Sequence, residues 1–111
     1  ILKGKPLVVK QGRINVGIGS LYYEEAGQGE PIIFVHGHSL DHRMWDEQFL
    51  VFAKKYHVIR YDLRGYGISS SQTEDYQFMH VEDLVTLMDS LHIKKAHIVG
   101  LSLGGFITAD M

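Results

Sequence analysis

The chain has 111 residues, of which 45% are hydrophobic, 22% charged and 11% aromatic, and its formal net charge is −2. This balance excludes intrinsic disorder, which needs few aromatic residues and a large net charge, and it argues against a nucleic-acid partner. No apolar run approaches the ~18 residues of a membrane span, no signal-peptide pattern opens the chain, and the lack of cysteine excludes a disulfide framework or a thiolate nucleophile. We therefore expect a soluble, cytoplasmic protein with no membrane partner.

The first third of the chain predicts a β-hairpin that leads into a buried strand. Ile14, Val16 and Ile18 recur at every second position, and Gly19-Ser20 is then predicted as a two-residue turn before the β-rich residues 21–25. Residues 26–31 have the composition of a loop. Residues 32–35 are a continuous apolar run between proline and glycine, which predicts a strand that is buried on both faces, as in parallel sheets.

The rest of the chain predicts helices that alternate with short strands. Asp41 suits the N-cap of a helix that runs to residue 55, with Trp45, Phe49 and Phe52 as its apolar stripe. A strand over 57–61 leads into the turn-prone residues 62–67 and a polar loop over 69–75. A second helix is predicted from the periodic apolar residues Val81, Leu84, Val85, Met88 and Leu91. A strand over 96–99 precedes a helix that begins near residue 102.

This order of elements predicts an α/β domain with three layers. An N-terminal antiparallel hairpin leads into a mostly parallel sheet, and the helices cover its two faces. The sequence shows no repeat, low-complexity tract or domain linker, so residues 1–111 are interpreted as part of one domain. Because such sheets place their working groups beyond the carboxyl ends of the strands, the candidate segments are 36–39, 62–67 and 100–105.

The sharpest motif is Gly100-x-Ser102-x-Gly104, between the last predicted strand and a helix. The pattern is typical of a nucleophile elbow, a turn so tight that the residues two before and two after the nucleophile must be small. The turn lifts the serine hydroxyl into the cleft and directs the Leu103 amide, at a helix N-terminus, to stabilise an oxyanion there. Two other interpretations stay open: a turn with a capping serine, and a phosphate-binding loop, whose usual glycine spacing is absent.

Three motifs in succession resemble those of the α/β-hydrolase family. The strand predicted at 32–35 ends in His36-Gly37, the next strand is followed by an Asp-x-Arg-Gly-x-Gly-x-Ser stretch over 62–69, and the elbow follows over 99–105. The resemblance extends from about residue 16 to residue 106. It implies the three-layer α/β-hydrolase fold, truncated after the elbow strand, and it is much less specific for the substrate.

The resemblance also implies roles for individual residues. Ser102 would be the nucleophile, and the backbone N–H groups of His38 and Leu103 would form the oxyanion hole. The elbow glycines would be Gly100 and Gly104. Structural loop residues would be His36, Gly37, Asp62, Arg64 and Gly65. Among these, Asp62 and Arg64 would brace the turn after their strand through local hydrogen bonds. The resemblance implies no cofactor and no metal.

The chain departs from the family pattern in its catalytic triad. A serine nucleophile needs a base that is held by a carboxylate, and in this family the order is serine, acid, histidine. After Ser102 the chain has only Asp110 and no histidine, because all seven histidines precede the serine, so the triad acid and histidine are not present in the family's manner. An unorthodox triad could join Ser102 to His36 or His38 and to Asp62, at the cost of the oxyanion hole. The other histidines lack the spacing of a zinc site and are expected to be structural.

The predicted position of the last strand in the sheet leads to the same expectation, that part of the domain is missing. The strand over 96–99 lies inside the sheet in this family, so in a chain of 111 residues it would be an uncovered apolar edge. We therefore expect this chain to be the N-terminal portion of a larger hydrolase, inactive when isolated. It would require the missing C-terminal part of the domain, in the same or a separate chain.

Three function classes are open at this point. The first is a serine hydrolase that forms an acyl-enzyme from a small carboxylic ester, lactone or thioester. The second is a receptor-like protein that binds a small molecule on the same fold without catalysis, since fold does not fix function. The third is a C–C bond hydrolase or a cofactor-free perhydrolase or haloperoxidase. A serine at the elbow speaks against the haloalkane dehalogenase branch, and residues 38–45 resemble small esterases and enol-lactonases.

Overall fold

The computed structural model describes residues 7–16, 19–37, 40–69 and 80–100. The predicted helix near residue 102 and most of the predicted polar loop lie outside these ranges. The strands are β1 (Lys10–Val16), β2 (Gly19–Ala26), β3 (Pro31–Val35), β4 (His57–Tyr61) and β5 (His97–Gly100). The helices are a 3₁₀ segment (His42–Trp45), α1 (Asp46–Phe52) and α2 (His80–Ser90). No helix within these ranges has both the length and the apolar character that a membrane crossing requires.

The described strands form one five-stranded mixed sheet with the order β1-β2-β4-β3-β5. β1 and β2 are antiparallel, and β2 also runs antiparallel to β4. β3 lies between β4 and β5 and is parallel to both. This topology confirms the predicted hairpin that leads into a parallel sheet.

The central strands bury side chains on both faces of the sheet, as predicted. Phe34 and Val58 pack with Phe49 of α1 on one face. Ile33 and Ile59 pack with the apolar side of α2 on the other. Because successive side chains of a strand point to opposite faces, a strand that is covered on both sides needs an unbroken apolar run.

The hairpin reverses earlier than predicted. Val16 pairs with Gly19, so Gly19 and Ser20 belong to β2, and the connecting residues 17–18 lie outside the described ranges. This register places Leu21 opposite Ile14. The predicted turn would have placed the charged Glu25 there, so pairing of apolar side chains explains the shift.

The first helical region begins as predicted but is divided and shorter. The Asp41 carboxylate accepts a hydrogen bond from the Arg43 amide at 2.9 Å, which confirms the N-cap. A 3₁₀ segment then precedes α1, and helical structure ends at Phe52 and not at residue 55. Phe52 is 40% exposed, and Ala53 is buried in its place. Spacings of four residues from Trp45 through Phe49 lead to Ala53, so Phe52 lies beside the buried stripe.

The second helix lies where its periodicity predicts, but its buried face is rotated. Leu84, Leu87 and Met88 are buried, whereas the predicted stripe residue Val85 is 41% exposed. After α2, His92 adopts a left-handed φ of +60° and the Ile93 amide donates to the Met88 carbonyl at 2.8 Å. This arrangement ends a helix by satisfying its last carbonyl groups, and it usually employs glycine.

Candidate active site

Three parallel strands end at one edge of the sheet. Val35 of β3 pairs with Tyr61 of β4 on one side and with Gly100 of β5 on the other. The last residues of β3, β4 and β5 therefore lie side by side at the carboxyl end of the sheet, where open α/β sheets place their working groups. Gly100, the first predicted elbow glycine, is the last residue of β5. Four predicted site residues lie outside the described ranges, namely His38, Ser102, Leu103 and Gly104.

His36 is fully buried and joins two of these segments. Its Nε2 accepts a hydrogen bond from the Leu63 amide at 2.9 Å, and its Nδ1–H donates to the Gly37 carbonyl at 2.8 Å. Burial lowers the pKa of His36, although the Gly37 bond and nearby Asp62 oppose the shift. A neutral imidazole with this tautomer serves both bonds. Since both ring nitrogens are occupied, neither is available as the base of an unorthodox triad.

Asp62 is a buried hub between the loop after β3 and the turn after β4. Its Oδ1 accepts hydrogen bonds from the His42 amide at 2.6 Å and from His42 Nδ1 at 2.8 Å. Its Oδ2 accepts the Ile68 amide at 2.9 Å, and its backbone carbonyl accepts the Ser69 hydroxyl at 2.5 Å. The expectation of purely local bracing was therefore too narrow, because Asp62 also holds a residue that lies twenty positions earlier.

Glycine at position 67 is required by the close approach of the Asp62 carboxylate. Gly67 has a φ of +53°, and a Cβ built there would lie 2.3 Å from Asp62 Oδ2. Gly65 in the same turn also has a positive φ, of +89°. A side chain at Gly67 would both strain the backbone and push the carboxylate away from its donors.

Arg64 reaches across the fold from the same turn. Its Nη2 and Nε donate to the two carboxylate oxygens of Asp83 on α2, at 2.7 and 3.1 Å, and Nη2 also donates to the Val16 carbonyl at 2.6 Å. Burial raises the pKa of Asp83, and the guanidinium opposes that rise. The predicted local role of Arg64 is thus corrected: the buried pair connects the turn to α2 and to the end of β1.

A second buried group of charges adjoins Asp62. Glu24 accepts hydrogen bonds from Arg60 Nη2 at 2.7 Å and from the Tyr22 hydroxyl at 2.5 Å, and His42 Nε2 lies 3.4 Å from it. Burial alone would raise the pKa of Glu24, but the bonds from Tyr22 and Arg60 outweigh it and lower that pKa. Burial, together with the bond to Glu24, raises the pKa of Tyr22 to about 12. These residues lock β2 to β4 beside the predicted site.

A comparison with known protein families identifies the family to which this chain belongs. Residues 30–111 match a family model described as the alpha/beta hydrolase fold. The chain belongs to the alpha/beta hydrolase family. The fold that its three motifs imply is thereby confirmed.

Individual alpha/beta hydrolases resemble this chain over most of its length. The 3-oxoadipate enol-lactonase 1 of Acinetobacter baylyi is 37% identical over 67% of this chain and 28% of its own length. A non-heme chloroperoxidase of Burkholderia pyrrocinia is 34% identical over 77% of this chain and 32% of its own. The solved structure of Est816, an N-acyl homoserine lactone degrading enzyme, is 36% identical with a TM-score of 0.82, over 86% of this chain and 38% of its own. The chain spans about a third of the length of the curated relatives it matches.

One set of side chains has the composition of a metal site. The ligand atoms of Asp41, His42 and Asp62 lie within 4.8 Å of one another. Hydrogen bonds already occupy ligand atoms of this set, since Asp41 accepts the Arg43 guanidinium and Asp62 accepts the ring N–H of His42. A cation here would have to displace these donors and would face the charge of Arg43, so the donor set does not suit a metal.

A cavity of about 1120 Å³ opens at the other end of the sheet. Its lining includes Glu25, Gly27, Gly29, Lys54 and His57. His57 begins β4, so this cavity lies at the amino ends of the parallel strands. In the alpha/beta hydrolase fold the chemistry belongs to the opposite edge, and we do not assign the active site to this cavity.

Three buried charged residues of the networks described above could have been recognised from the sequence. Asp83 precedes Leu87 by four positions and so lies on the buried side of α2. Glu24 lies two positions after Tyr22, on the same buried face of β2. Arg60 of β4 lies directly opposite Glu24. A charge at a position where periodicity predicts an apolar side chain was the available signal.

Proposed function

We propose that Ser102 is the nucleophile of a serine hydrolase that cleaves a small carboxylic ester, lactone or thioester. The observation that carries this proposal is the pairing of Gly100 with Val35, because Gly100 is the first residue of the Gly-x-Ser-x-Gly sequence and ends β5 beside the strand that leads to His36. The likeness to an enol-lactonase and to a lactone-degrading enzyme supports the substrate class.

The chemistry follows from these positions. The Ser102 hydroxyl would attack the substrate carbonyl carbon while a base removes its proton, and the carbonyl oxygen would become an oxyanion. The backbone N–H groups of His38 and Leu103 would donate to that oxyanion. Collapse of the intermediate would expel the alcohol or thiol, which takes up the proton, and water would then hydrolyse the acyl-serine. No cofactor is needed for these steps.

The base and its carboxylate are proposed to come from polypeptide other than these 111 residues. His36 is occupied by Leu63 and Gly37, and no histidine follows Ser102. The chain also spans only about a third of the relatives it matches. The 111 residues would accordingly supply the nucleophile and the oxyanion hole, and would be inactive alone.

The test uses two samples: residues 1–111 alone, and the longest natural polypeptide that contains them. Each is treated with a fluorophosphonate probe, analysed by intact mass and peptide mapping, and assayed with activated short-chain esters and lactones. We expect the longer chain to be labelled at Ser102, and Ser102→Ala to lose turnover by several orders of magnitude. Ser90→Ala, at the exposed end of α2, is the matched control.

Two results would contradict the proposal in different ways. If the longer chain takes no label and turns over no ester, the hydrolase assignment is wrong. If that chain still binds a small ester, the result indicates the receptor-like alternative. Turnover by residues 1–111 alone would instead overturn the proposed origin of the base.

A second candidate is a cofactor-free haloperoxidase or perhydrolase, which the likeness to a non-heme chloroperoxidase favours. Hydrogen peroxide would replace water as the attacker of the acyl-serine, which yields a peracid and restores the hydroxyl. The same samples decide this case: peroxide-dependent halogenation in carboxylate buffer that disappears in Ser102→Ala would support it.

A further inference from the structure

The loop after β3 is anchored at its start to Leu63 and at its end to Asp62, two adjacent residues of the turn after β4. At its start, His36 accepts the Leu63 amide and donates to the Gly37 carbonyl. At its end, the amide and the ring of His42 both donate to the Asp62 carboxylate. The Leu40 amide also donates back to the Gly37 carbonyl at 3.2 Å. The loop between Gly37 and His42 is therefore tied to residues 62–63 at each end.

His42 contacts residues of the turn after β4, of β2 and of β4. Asp62 of the turn accepts its Nδ1–H at 2.8 Å, and Glu24 of β2 lies 3.4 Å from its Nε2. Arg60 of β4 approaches its carbonyl at 3.4 Å, and the Tyr22 ring centroid lies 5.2 Å from the imidazole centroid. The side chain is largely buried, so these contacts operate with little competition from water.

We propose that His42 is a positioning residue which, through Asp62, sets the loop that carries the predicted oxyanion donor. This inference rests on the proposed function, because it assigns His42 to the geometry of the transition state. A donor in this loop stabilises the oxyanion only when its N–H lies within hydrogen-bond distance of the oxygen. The bond from His42 to Asp62 holds the end of this loop against the turn after β4.

The geometry predicts which substitutions preserve this function. Asparagine places an N–H donor where Nδ1 lies, close to Asp62 Oδ1. Glutamine is longer and places its donor nearer to Nε2, on the Glu24 side. Leucine fills a similar volume and donates to neither carboxylate. The contact with Asp62, and not the volume or the contact with Glu24, should therefore decide activity.

The test measures kcat and KM for an activated ester in the longest natural chain with His42→Leu, His42→Gln and His42→Asn. We expect kcat to fall by roughly 10- to 100-fold in the leucine and glutamine variants and by less than about 5-fold in the asparagine variant, since displacement by 1 Å can cost ~100-fold. KM should change little, because the contact acts on the transition state and not on substrate binding. His97→Asn and His97→Gln, at an exposed histidine of the opposite edge, should leave kcat unchanged.

The remaining outcomes each overturn either the inference about His42 or the proposed function. Equal kcat values for the asparagine and glutamine variants, or a rise in KM at constant kcat, would overturn the positioning role even if the leucine variant fails to fold. If the wild-type chain hydrolyses no ester and Ser102 takes no fluorophosphonate, the proposed function itself has failed. If the wild type is active and all three variants match it, only the inference about His42 has failed.

Discussion

The two ends of the parallel strands use the same residue types in opposite ways. At the carboxyl end, His42 and Glu24 face each other with 12% and 9% of their side chains exposed. At the amino end, His97 and Glu30 form a pair at 3.1 Å with 67% and 73% exposed. Both ends thus place an imidazole beside a carboxylate, but the pair at the carboxyl end is largely removed from water and the His97–Glu30 pair is not.

This difference teaches that burial, more than pairing, distinguishes the end of the sheet where the site is proposed. An exposed ion pair is worth little because water and salt screen it and its side chains lose entropy. A buried group whose partner is removed keeps its desolvation cost. Buried groups that depend on a partner in this way surround Asp62, where the loops of the proposed site meet. Substitutions should accordingly become less damaging from the carboxyl end to the amino end.

The largest effect is expected at the Arg64–Asp83 pair. Arg64→Met removes both bonds to Asp83 and leaves its carboxylate buried, so we expect the free energy of unfolding to fall by about 3–5 kcal/mol. Burial already raises the pKa of Asp83, and loss of the guanidinium removes what opposes that rise. The loss should shrink as the pH falls and Asp83 becomes neutral. Urea unfolding at neutral and acidic pH measures it.

Two further variants sharpen this prediction. Arg64→Met combined with Asp83→Leu should recover much of the loss, because no charge is then left without a partner. Arg43→Met is the control, since Arg43 is exposed and its pair with Asp41 lies outside the buried network. Equal destabilisation by Arg43→Met and Arg64→Met would contradict the idea that burial sets the cost.

An intermediate effect is expected at Glu24. Glu24→Gln weakens the bonds from Tyr22 and Arg60, and we expect a loss of about 1.5–3 kcal/mol at pH 7. The pKa of Glu24 is lowered in the folded protein, so its stabilising contribution is complete above the unfolded value of about 4.3 and is lost as the pH falls through the folded value. The difference between wild type and variant should therefore narrow in acid, as measured by denaturant unfolding from pH 7 to pH 3.

The neighbouring glutamate supplies the matched control. Glu25 belongs to the same strand but pairs with His57 at the amino end, where both side chains are more exposed. Glu25→Gln should cost less than Glu24→Gln at pH 7. If the two substitutions cost the same, the contrast between the ends of the sheet does not hold for β2.

The sequence predicts the frame of the molecule better than its polar contacts, for a physical reason. Apolar periodicity is local, so strands β3 and β4 and the position of α2 follow from their own residues. The bond from Arg64 to Asp83 and the bond from His42 to Asp62 join residues about twenty positions apart. Such partners become visible only after the strands are in register.

Errors at element boundaries have the same origin. The turn placed at Gly19-Ser20 used local glycine chemistry, whereas the register follows from Leu21 meeting Ile14 across the strands. The stripe that included Phe52 used a spacing of three residues after Phe49, whereas the buried side continues at a spacing of four, to Ala53. Of the predicted site, the fixed positions of His36 and Asp62 are described, and the assignments to His38, Ser102, Leu103 and Gly104 stay predictions.

The smallest effect is expected at the exposed amino-end pair. His97→Gln removes the contact with Glu30 but leaves no buried group behind, so the free energy of unfolding should change by less than about 0.5 kcal/mol. Denaturant unfolding at low and high salt measures it, with Glu30→Gln as the partner variant, and neither should depend on salt beyond the wild type. A loss comparable to that of Glu24→Gln would show that pairing itself stabilises the strand ends, and burial would then no longer distinguish the working edge of the sheet.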